Sequence, residues 1–158
     1  MNFDPAIFKA YDIRGTYPNQ INKETAYQFG RAFAAFLRPP ATVAGRDMRL
    51  SSPELFEGLA AGLVDSGVNV IDIGLCSTDS LYYAVGKWKA PAGVMITASH
   101  NPKEYNGLKT CRSEAVPLSE TEGLNQIRDI MQRGKYEPIR TRGKIGRASC
   151  RERVCQYV

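Results

Sequence analysis

Strand-like and helix-like segments alternate along most of the chain, and this alternation limits the possible folds more than any other feature. Short apolar runs at 42–45, 68–73 and 93–96 are separated by segments whose apolar residues recur every three to four positions. The chain opens with an apolar segment at 3–13 that we expect to be extended, ending in a loop at Arg14-Gly15. Strands joined through helices pair in parallel and need helices on both faces. The pattern predicts an α/β fold, a layered α/β/α domain around a mostly parallel mixed sheet.

Local signals predict where the helices begin and end. Asn22 is a helix N-cap, and two prolines stop that helix after Leu37. Residues 51–54 and 119–122 have the Ser-x-x-Glu pattern of a capping box, so each predicts the start of a further helix. A shorter helix is predicted at 78–87.

Size and composition favour one globular domain. The chain has 158 residues, of which 43% are hydrophobic and 23% charged, values that suit a single domain with its own core. No apolar run approaches the roughly 20 residues that cross a bilayer, and the N-terminus lacks the basic and apolar regions of a signal peptide. We therefore expect a cytoplasmic protein with no membrane partner.

The net charge of +5 lies entirely in the last residues. Residues 140–158 carry six basic side chains and one acidic side chain, whereas residues 1–139 carry 15 of each sign. The body of the chain therefore has no basic bias, and we expect no nucleic-acid partner. The chain has one histidine and no Cys-x-x-Cys pair, so zinc has little support, and we expect reduced cysteines.

The segment at 144–154 is unlike the rest of the chain. It has no helical or strand periodicity, and its letters, KIGRASCRERV, resemble the translation of a common sequencing adapter. We therefore divide the chain into a domain at 1–140 and a non-native, disordered tail at 141–158. The alternative is a genuine basic interaction tail, which would reopen the question of nucleic-acid binding.

Three loops are predicted to meet at one edge of the sheet. Arg46-Asp47 and residues 75–78 and 98–101 each follow a predicted strand. In parallel sheets, ligands bind at the carboxyl ends of the strands. Ser99 lies at such an end, where Pro102 turns the chain away from the strand direction, so its hydroxyl is a candidate nucleophile. Its ordinary alternative is a serine that hydrogen-bonds its own turn.

Four motifs, in order and with fitting spacing, resemble the first domain of the α-D-phosphohexomutases. They are FKAYDIRG at 8–15, GRDMRLS at 45–51, TASHNP at 97–102 and YNGLK at 105–109. The first and third motifs favour the phosphomannomutase/phosphoglucomutase branch over the phosphoglucosamine branch. The resemblance implies an enzyme that interconverts hexose 1-phosphate and hexose 6-phosphate through a bound hexose 1,6-bisphosphate.

The resemblance also implies roles for individual residues. Ser99 is the residue carried as phosphoserine, and its phosphate supplies one Mg²⁺ ligand. The other site residues implied are Arg14, His100 and Lys109 for catalysis, with Tyr11, Arg14, Asn101 and Lys109 for substrate binding.

Several parts of the family's machinery are missing from this sequence. The Asp-x-Asp-x-Asp metal loop, the sugar-selecting loop and the C-terminal phosphate-binding loop belong to three further domains, which are the expected partners. We therefore expect the chain alone to be inactive, with the choice between mannose and glucose made elsewhere.

A non-catalytic sugar-phosphate-binding module of the same fold is the alternative function.

The individual residues also have alternative interpretations. Arg14 can pair with Asp12 or Asp47 as a simple ion pair. Lys109 can be an ordinary solvent-facing strand residue, and His100 can pack or cap a loop. The cluster Arg46, Asp47 and Arg49 is interpreted as bracing a loop.

Overall fold

A computed structural model describes residues 3–137 and 141–148 of the chain. Six strands and four helices account for most of these residues, together with short helical turns at Pro5–Ile7, Ser113–Ala115 and Glu120–Leu124. In chain order the elements are β1 (Ile13–Thr16), α1 (Lys23–Leu37), β2 (Ala41–Arg46), α2 (Ser52–Val64), β3 (Asn69–Leu75), α3 (Thr78–Lys87), β4 (Ala92–Ile96), β5 (Tyr105–Arg112), α4 (Asn125–Arg133) and β6 (Ile145–Arg147).

The strands form one mixed sheet in the order β1-β5-β4-β2-β3-β6. Strands β4, β2, β3 and β6 run in parallel, while β5 is antiparallel to both β4 and β1. The carboxyl ends of β4, β2 and β3 therefore meet at one edge, and β5 begins there. The predicted mostly parallel mixed sheet and the convergence of the three loops are confirmed.

Helices cover both faces of the sheet, as the α/β/α prediction requires. One face packs against α1, α2 and α4 through a large apolar core that includes Phe29, Phe33 and Leu59. The other face packs against α3 through a smaller core that includes Leu81, Met95 and Cys111. Because α3 packs mainly against β2 and β4, the β1 side of this face is less covered.

The predicted helix ends are correct where the residues that decide them are close together in the sequence. The Oδ1 atom of Asn22 accepts a hydrogen bond from the Thr25 amide at 3.0 Å, so the predicted N-cap of α1 is confirmed. The residues Thr78–Lys87 form α3 with the predicted bounds, and the Ser77 hydroxyl accepts from the Ser80 amide at its start.

Neither predicted capping box forms its cap hydrogen bond, although α2 begins at Ser52, where the first box predicted a helix start. No side-chain cap bond forms at Ser51, whose hydroxyl instead accepts a hydrogen bond from Asn106, a residue 55 positions away. In the second box the Ser119 hydroxyl donates to the Glu122 carboxylate at 3.1 Å. Gly123, with φ of 146°, interrupts the helical path there, so α4 begins at Asn125.

The N-terminal prediction also needs correction. The segment at 3–13 is not uniformly extended, because Pro5–Ile7 forms a helical turn capped by Asp4, whose carboxylate accepts from the Ala6 amide at 2.9 Å. Arg14 and Gly15, predicted as a loop, lie inside β1. Glycine fits there because the strand passes close to the Gln20 and Ile7 side chains.

The structure differs from the expectation of disorder for the first part of the tail. Residues Ile145–Arg147 pair in parallel with β3, and the Gly143 amide donates to the Val64 carbonyl at 2.9 Å. Edge pairing of this kind uses main-chain groups, so it needs no apolar alternation in the sequence. The rest of the tail, at 149–158, lies outside the described residues, and its adapter origin stays a prediction.

Among the residues that the structure describes, no helix combines the length and apolar character needed to cross a membrane.

Burial makes Cys111 the least reactive thiol of the described core. The residue is fully buried, and burial raises the pKa of its thiol to about 12. We expect Cys111 to resist iodoacetamide at about pH 8 in the folded chain and to react in urea, because only the thiolate is nucleophilic. Peptide mass spectrometry measures this directly, and equal labelling of Cys111 with and without urea would contradict the packing described.

The same shift makes the fold sensitive to alkali. A thiol whose pKa rises from 9.0 to about 12 on folding contributes stability that is complete below about pH 9. That contribution is lost as the pH rises from about 9 towards 12, because the unfolded thiol ionises first. Replacing Cys111 with alanine should remove this part of the alkaline loss.

Candidate functional site

The loop that follows β4 holds its serine in an unusual backbone conformation. Ser99 has φ of 54°, in the left-handed region that costs a non-glycine residue about 1 kcal/mol or more. Its amide donates to the Thr97 hydroxyl at 2.9 Å, and the Asn101 amide closes the turn onto the Ala98 carbonyl at 3.1 Å. Thr97 and Ala98 are buried while Ser99 is exposed, so the turn presents the serine at the surface.

One arginine fastens this serine loop, defined here as residues 97–105. The guanidinium of Arg49 donates to four main-chain carbonyls, at distances of 2.7 to 3.0 Å. The four carbonyls belong to Ser99, Asn101, Pro102 and Tyr105. Charged donors make stronger hydrogen bonds than neutral ones, so this arrangement offsets the strain at Ser99.

Arg49 is itself held by a polar network at the start of α2. Its Nε lies 3.2 Å from the Asp47 carboxylate, which also accepts from the Ser52 hydroxyl at 2.6 Å. The buried amide group of Asn106 donates to the hydroxyls of Ser51 and Ser52 at 2.7 and 3.0 Å. The prediction that this charge cluster braces a loop is confirmed in geometry for Asp47 and Arg49.

A second cluster lies beside the serine loop on the α3 side of the sheet. One carboxylate oxygen of Asp12 accepts from the Arg14 guanidinium at 2.5 Å and from the Lys109 ammonium at 3.0 Å. Arg14 also donates to the side-chain oxygen of Asn101 at 3.0 Å, which ties it to the serine loop. We call Asp12, Arg14, Asn101 and Lys109 the cationic cluster.

The other predicted site residues make fewer contacts. Tyr11 is 72% exposed, and His100 is exposed with no hydrogen bond to any described residue. Arg46 takes no part in the bracing cluster, a correction to the prediction. Its guanidinium pairs with Asp72 at 2.9 Å and lies 4.4 Å above the centre of the Phe56 ring.

Two contributors were not identified as site residues from the sequence. Asp12 appeared only as a possible partner of Arg14, although it is buried and joins both cations. Asn106 lies within the YNGLK motif, but nothing in a local pattern shows that its amide reaches the start of α2. The presence of both in the motifs was the only available signal.

A glycine allows the cationic cluster to form. A Cβ on Gly107 would lie 2.2 Å from the Ile13 carbonyl oxygen and 3.0 Å from that of Thr97. Replacing Gly107 with alanine should therefore lower the free energy of unfolding by about 3 kcal/mol, because the clash is with backbone. Gly86 of α3 is the matched control, since a Cβ there meets nothing within 4 Å and should stabilise the helix by about 0.5–1 kcal/mol. Urea unfolding of both variants measures the difference, and equal stability would contradict the close approach.

The described residues do not form a complete metal-binding site. Within residues 3–137 and 141–148, no three His, Cys, Asp or Glu side chains come together as potential ligands. Asp12 and Asp47 lie near the serine loop, but both pair with cations. A hexacoordinate ion would therefore need a phosphate oxygen and carboxylates from outside these residues.

A cavity of about 700 Å³ lies away from the serine loop, between the end of α1 and the segment after α4. Its lining includes Arg31, Arg38 and Tyr136. Arg31 stacks 4.5 Å from the centre of the Tyr136 ring, and Arg38 pairs with Glu137 at 3.6 Å. Both cations therefore contact groups of the fold, although the buried Nε of Arg31 has no hydrogen-bond partner among the described residues.

The chain matches one protein family over most of its length. The family described as phosphoglucomutase/phosphomannomutase, alpha/beta/alpha domain I, matches residues 5–138. A protein named phosphohexose mutases from Xanthomonas campestris pv. campestris is 52% identical over 124 residues, covering 78% of this chain and 28% of that protein. A protein named phosphomannomutase from Klebsiella pneumoniae is 43% identical over 132 residues, covering 84% of each.

Comparison of the fold with solved structures indicates the same family. The crystal structure of a phosphoglucomutase/phosphomannomutase family protein from Burkholderia thailandensis superposes with a TM-score of 0.83 at 31% identity. The superposition covers 92% of this chain and 33% of that one. The chain thus spans about a third or less of the Xanthomonas and Burkholderia proteins.

Proposed function

Because this chain belongs to the phosphoglucomutase/phosphomannomutase family, we propose that Ser99 carries the phosphoryl group of a hexose phosphate mutase. The proposed enzyme interconverts the 1-phosphate and 6-phosphate of mannose, glucose or both through a bound hexose 1,6-bisphosphate. The observation that carries the proposal is the exposed Ser99, held at φ of 54° by a loop whose carbonyls are bound by Arg49. A strained conformation that the surroundings maintain is typical of functional residues.

The chemistry follows from the residues around that serine. In the first transfer, the bond between phosphorus and the Ser99 Oγ breaks as phosphorus bonds to the free hydroxyl oxygen of the sugar. The hydroxyl gives up a proton and Ser99 regains one. We assign this proton movement to His100, the next residue, or to Lys109. After the bisphosphate reorients, the reverse transfer returns the other phosphoryl group to Ser99.

Arg14 and Lys109 supply positive charge for these steps. A phosphoserine adds about −1.5 to −2 charges, so a phosphoryl transfer is favoured by fixed cations nearby. The guanidinium of Arg14 is a planar fork that suits two phosphate oxygens, while the Lys109 ammonium acts as a point charge. Asn101 links Arg14 to the serine loop and is proposed to bind substrate with them. We propose that Tyr11, exposed just before β1, borders the sugar.

The fixed serine loop makes its own contribution. Four hydrogen bonds from Arg49 limit the motion of the nucleophile before substrate arrives. Correct placement of reacting groups can supply a large part of a rate enhancement, and a misplacement of about 1 Å can cost 100-fold. We therefore propose that Arg49 positions Ser99 without touching the substrate.

Magnesium and further domains complete the proposed enzyme. Mg²⁺ would be held by a phosphate oxygen on Ser99 and by carboxylates outside this domain, and it would neutralise charge on the transferring oxygens. Since the chain spans 28% of the Xanthomonas relative, we propose that three further domains supply those ligands and the sugar selectivity. In this proposal the 158-residue chain alone has no mutase activity.

The test is an assay of the complete gene product, meaning the protein encoded by the gene once it is sequenced past the codon for Arg140. With Mg²⁺ and a trace of hexose bisphosphate, it should convert mannose 1-phosphate or glucose 1-phosphate to the 6-phosphate. The ratio of kcat/KM for the two sugars gives the preference. A product that binds either sugar phosphate without converting it would favour the non-catalytic binding module.

A further inference from the structure

We propose that Asp12 is a positioning residue, whose single buried carboxylate holds Arg14 and Lys109 side by side as a pre-formed receptor for phosphoryl oxygens. The chemical purpose of this receptor rests on the proposed function. The positioning itself rests on the contacts, so it is testable without the reaction.

The sheet brings the three side chains to one point. Asp12 lies just before β1 and Arg14 lies within it, and the Arg14 guanidinium reaches the Asp12 carboxylate directly. On β5, Lys109 pairs with Met95, a member of the core on the α3 face. Because β1 and β5 are neighbours, the two cations come from adjacent strands and meet at Asp12.

The burial of Asp12 makes this meeting point significant. Asp12 is 6% exposed, and one of its oxygens lies within 3.0 Å of both cationic nitrogens. A buried carboxylate is unfavourable unless charges and hydrogen bonds compensate it, and two cations at close range repel each other unless an anion lies between them. The buried carboxylate is therefore stabilised by the two cations, and the two cations are held together by the carboxylate. The three side chains together carry one net positive charge.

The groups around the cluster leave its excess charge uncompensated. On α3, burial raises the pKa of Tyr82, and the carboxylates of Asp12 and Asp79 raise it further. From the serine loop, Asn101 offers Arg14 a neutral oxygen. Among the described residues, no second carboxylate pairs with Arg14 or Lys109. A phosphoryl group is the ligand that would balance the charge.

Arg14 also has a hydrogen-bond donor without a partner. Its Nε is buried and has no hydrogen-bond partner among the described residues. Buried donors without partners are uncommon in folded proteins, so the resting contacts of Arg14 do not satisfy the whole guanidinium.

The test replaces Asp12 with asparagine, which keeps the shape and removes the charge. In the folded 158-residue chain, the Lys109 ammonium and Arg14 guanidinium should give slowly exchanging ¹H–¹⁵N NMR signals, and Asp12→Asn should abolish them. In the complete gene product, Asp12→Asn should lower kcat about 10- to 100-fold with KM changed less than about 3-fold. The cations still attract phosphate, but they no longer lie in a fixed arrangement.

Asp72→Asn is the matched control, because Asp72 is also buried and paired with an arginine at 2.9 Å, on β3. Asp72→Asn should lower the free energy of unfolding. It should leave the Lys109 and Arg14 NMR signals in place and change kcat by less than about 2-fold. If Asp12→Asn unfolds the chain, Asp12→Glu keeps the charge and should retain both signals. The proposal is overturned if Asp12→Asn keeps the signals, or if both Asn variants lower kcat equally. Absence of mutase activity in the unaltered gene product would instead count against the proposed function, and the NMR comparison would still decide the role of Asp12.

Discussion

Replacing Ser99 with alanine should lower the kcat of the complete gene product by roughly 10³- to 10⁶-fold, the loss typical of removing a covalent nucleophile. The physical reason is that, in the proposed mechanism, Ser99 carries the phosphoryl group between the two transfers. The Ser99→Ala chain should fold normally, because the side chain is exposed and the loop is held through its main-chain carbonyls. A coupled assay of 6-phosphate formation, with circular dichroism on the same samples, measures both effects.

Ser113 provides a control for this experiment. It is an exposed serine at the start of the short helical turn after β5, outside the serine loop. Ser113→Ala should leave kcat within about 2-fold. Activity that survives Ser99→Ala would rule out Ser99 as the phosphoryl carrier, whatever the remaining activity proved to be.

Replacing Arg49 with alanine should produce the second large effect, a fall in kcat of about 100-fold together with a loss of about 2–4 kcal/mol in the free energy of unfolding. Four carbonyls lose a charged donor, and the left-handed conformation at Ser99 is no longer offset. Arg49→Lys should recover little, because a lysine ammonium cannot reach the same carbonyls with a planar fork. Urea unfolding and steady-state kinetics of the complete gene product measure the two effects.

Arg46→Ala separates the bracing of the loop from general stability. Arg46 is also largely buried, pairs with Asp72 and packs on Phe56, but it does not contact the serine loop. It should lose a similar amount of stability while keeping kcat within about 3-fold. Equal kcat losses in Arg46→Ala and Arg49→Ala would mean that the effect of Arg49 is only a loss of stability.

Most of the fold could be predicted because its signals are local. The cap at Asn22 and the bounds of α3 depend on residues within one or two turns, where side-chain preferences act directly. The same holds for the parallel strands, whose apolar runs made it possible to foresee that three loops would meet at one edge. Long-range contacts decided the rest. The Ser51 hydroxyl binds Asn106 instead of capping its helix, and no pattern within α2 reveals that choice.

The motifs singled out several residues that the structure brings together, but they did not show how these residues are organised. The motifs named Ser99, Arg14, Asn101 and Lys109, and the structure brings the last three together. They did not show that one buried carboxylate joins two of these side chains, because that depends on the pairing of β1 with β5. Strand β6 was missed for a different reason. Its pairing with β3 depends on main-chain hydrogen bonds, and these leave no trace in side-chain composition.

Locating the phosphoryl group shows directly whether Ser99 carries it. The complete gene product is incubated with hexose 1,6-bisphosphate and Mg²⁺, digested, and mapped by tandem mass spectrometry. Phosphate is expected on Ser99. When the phosphoryl group comes from isotopically labelled bisphosphate, unlabelled hexose monophosphate should chase the label from Ser99 at a rate compatible with turnover, because each cycle returns the other phosphoryl group to the serine. Phosphate found on another residue, or on none while the enzyme is turning over, would mean that Ser99 is not the phosphoryl carrier.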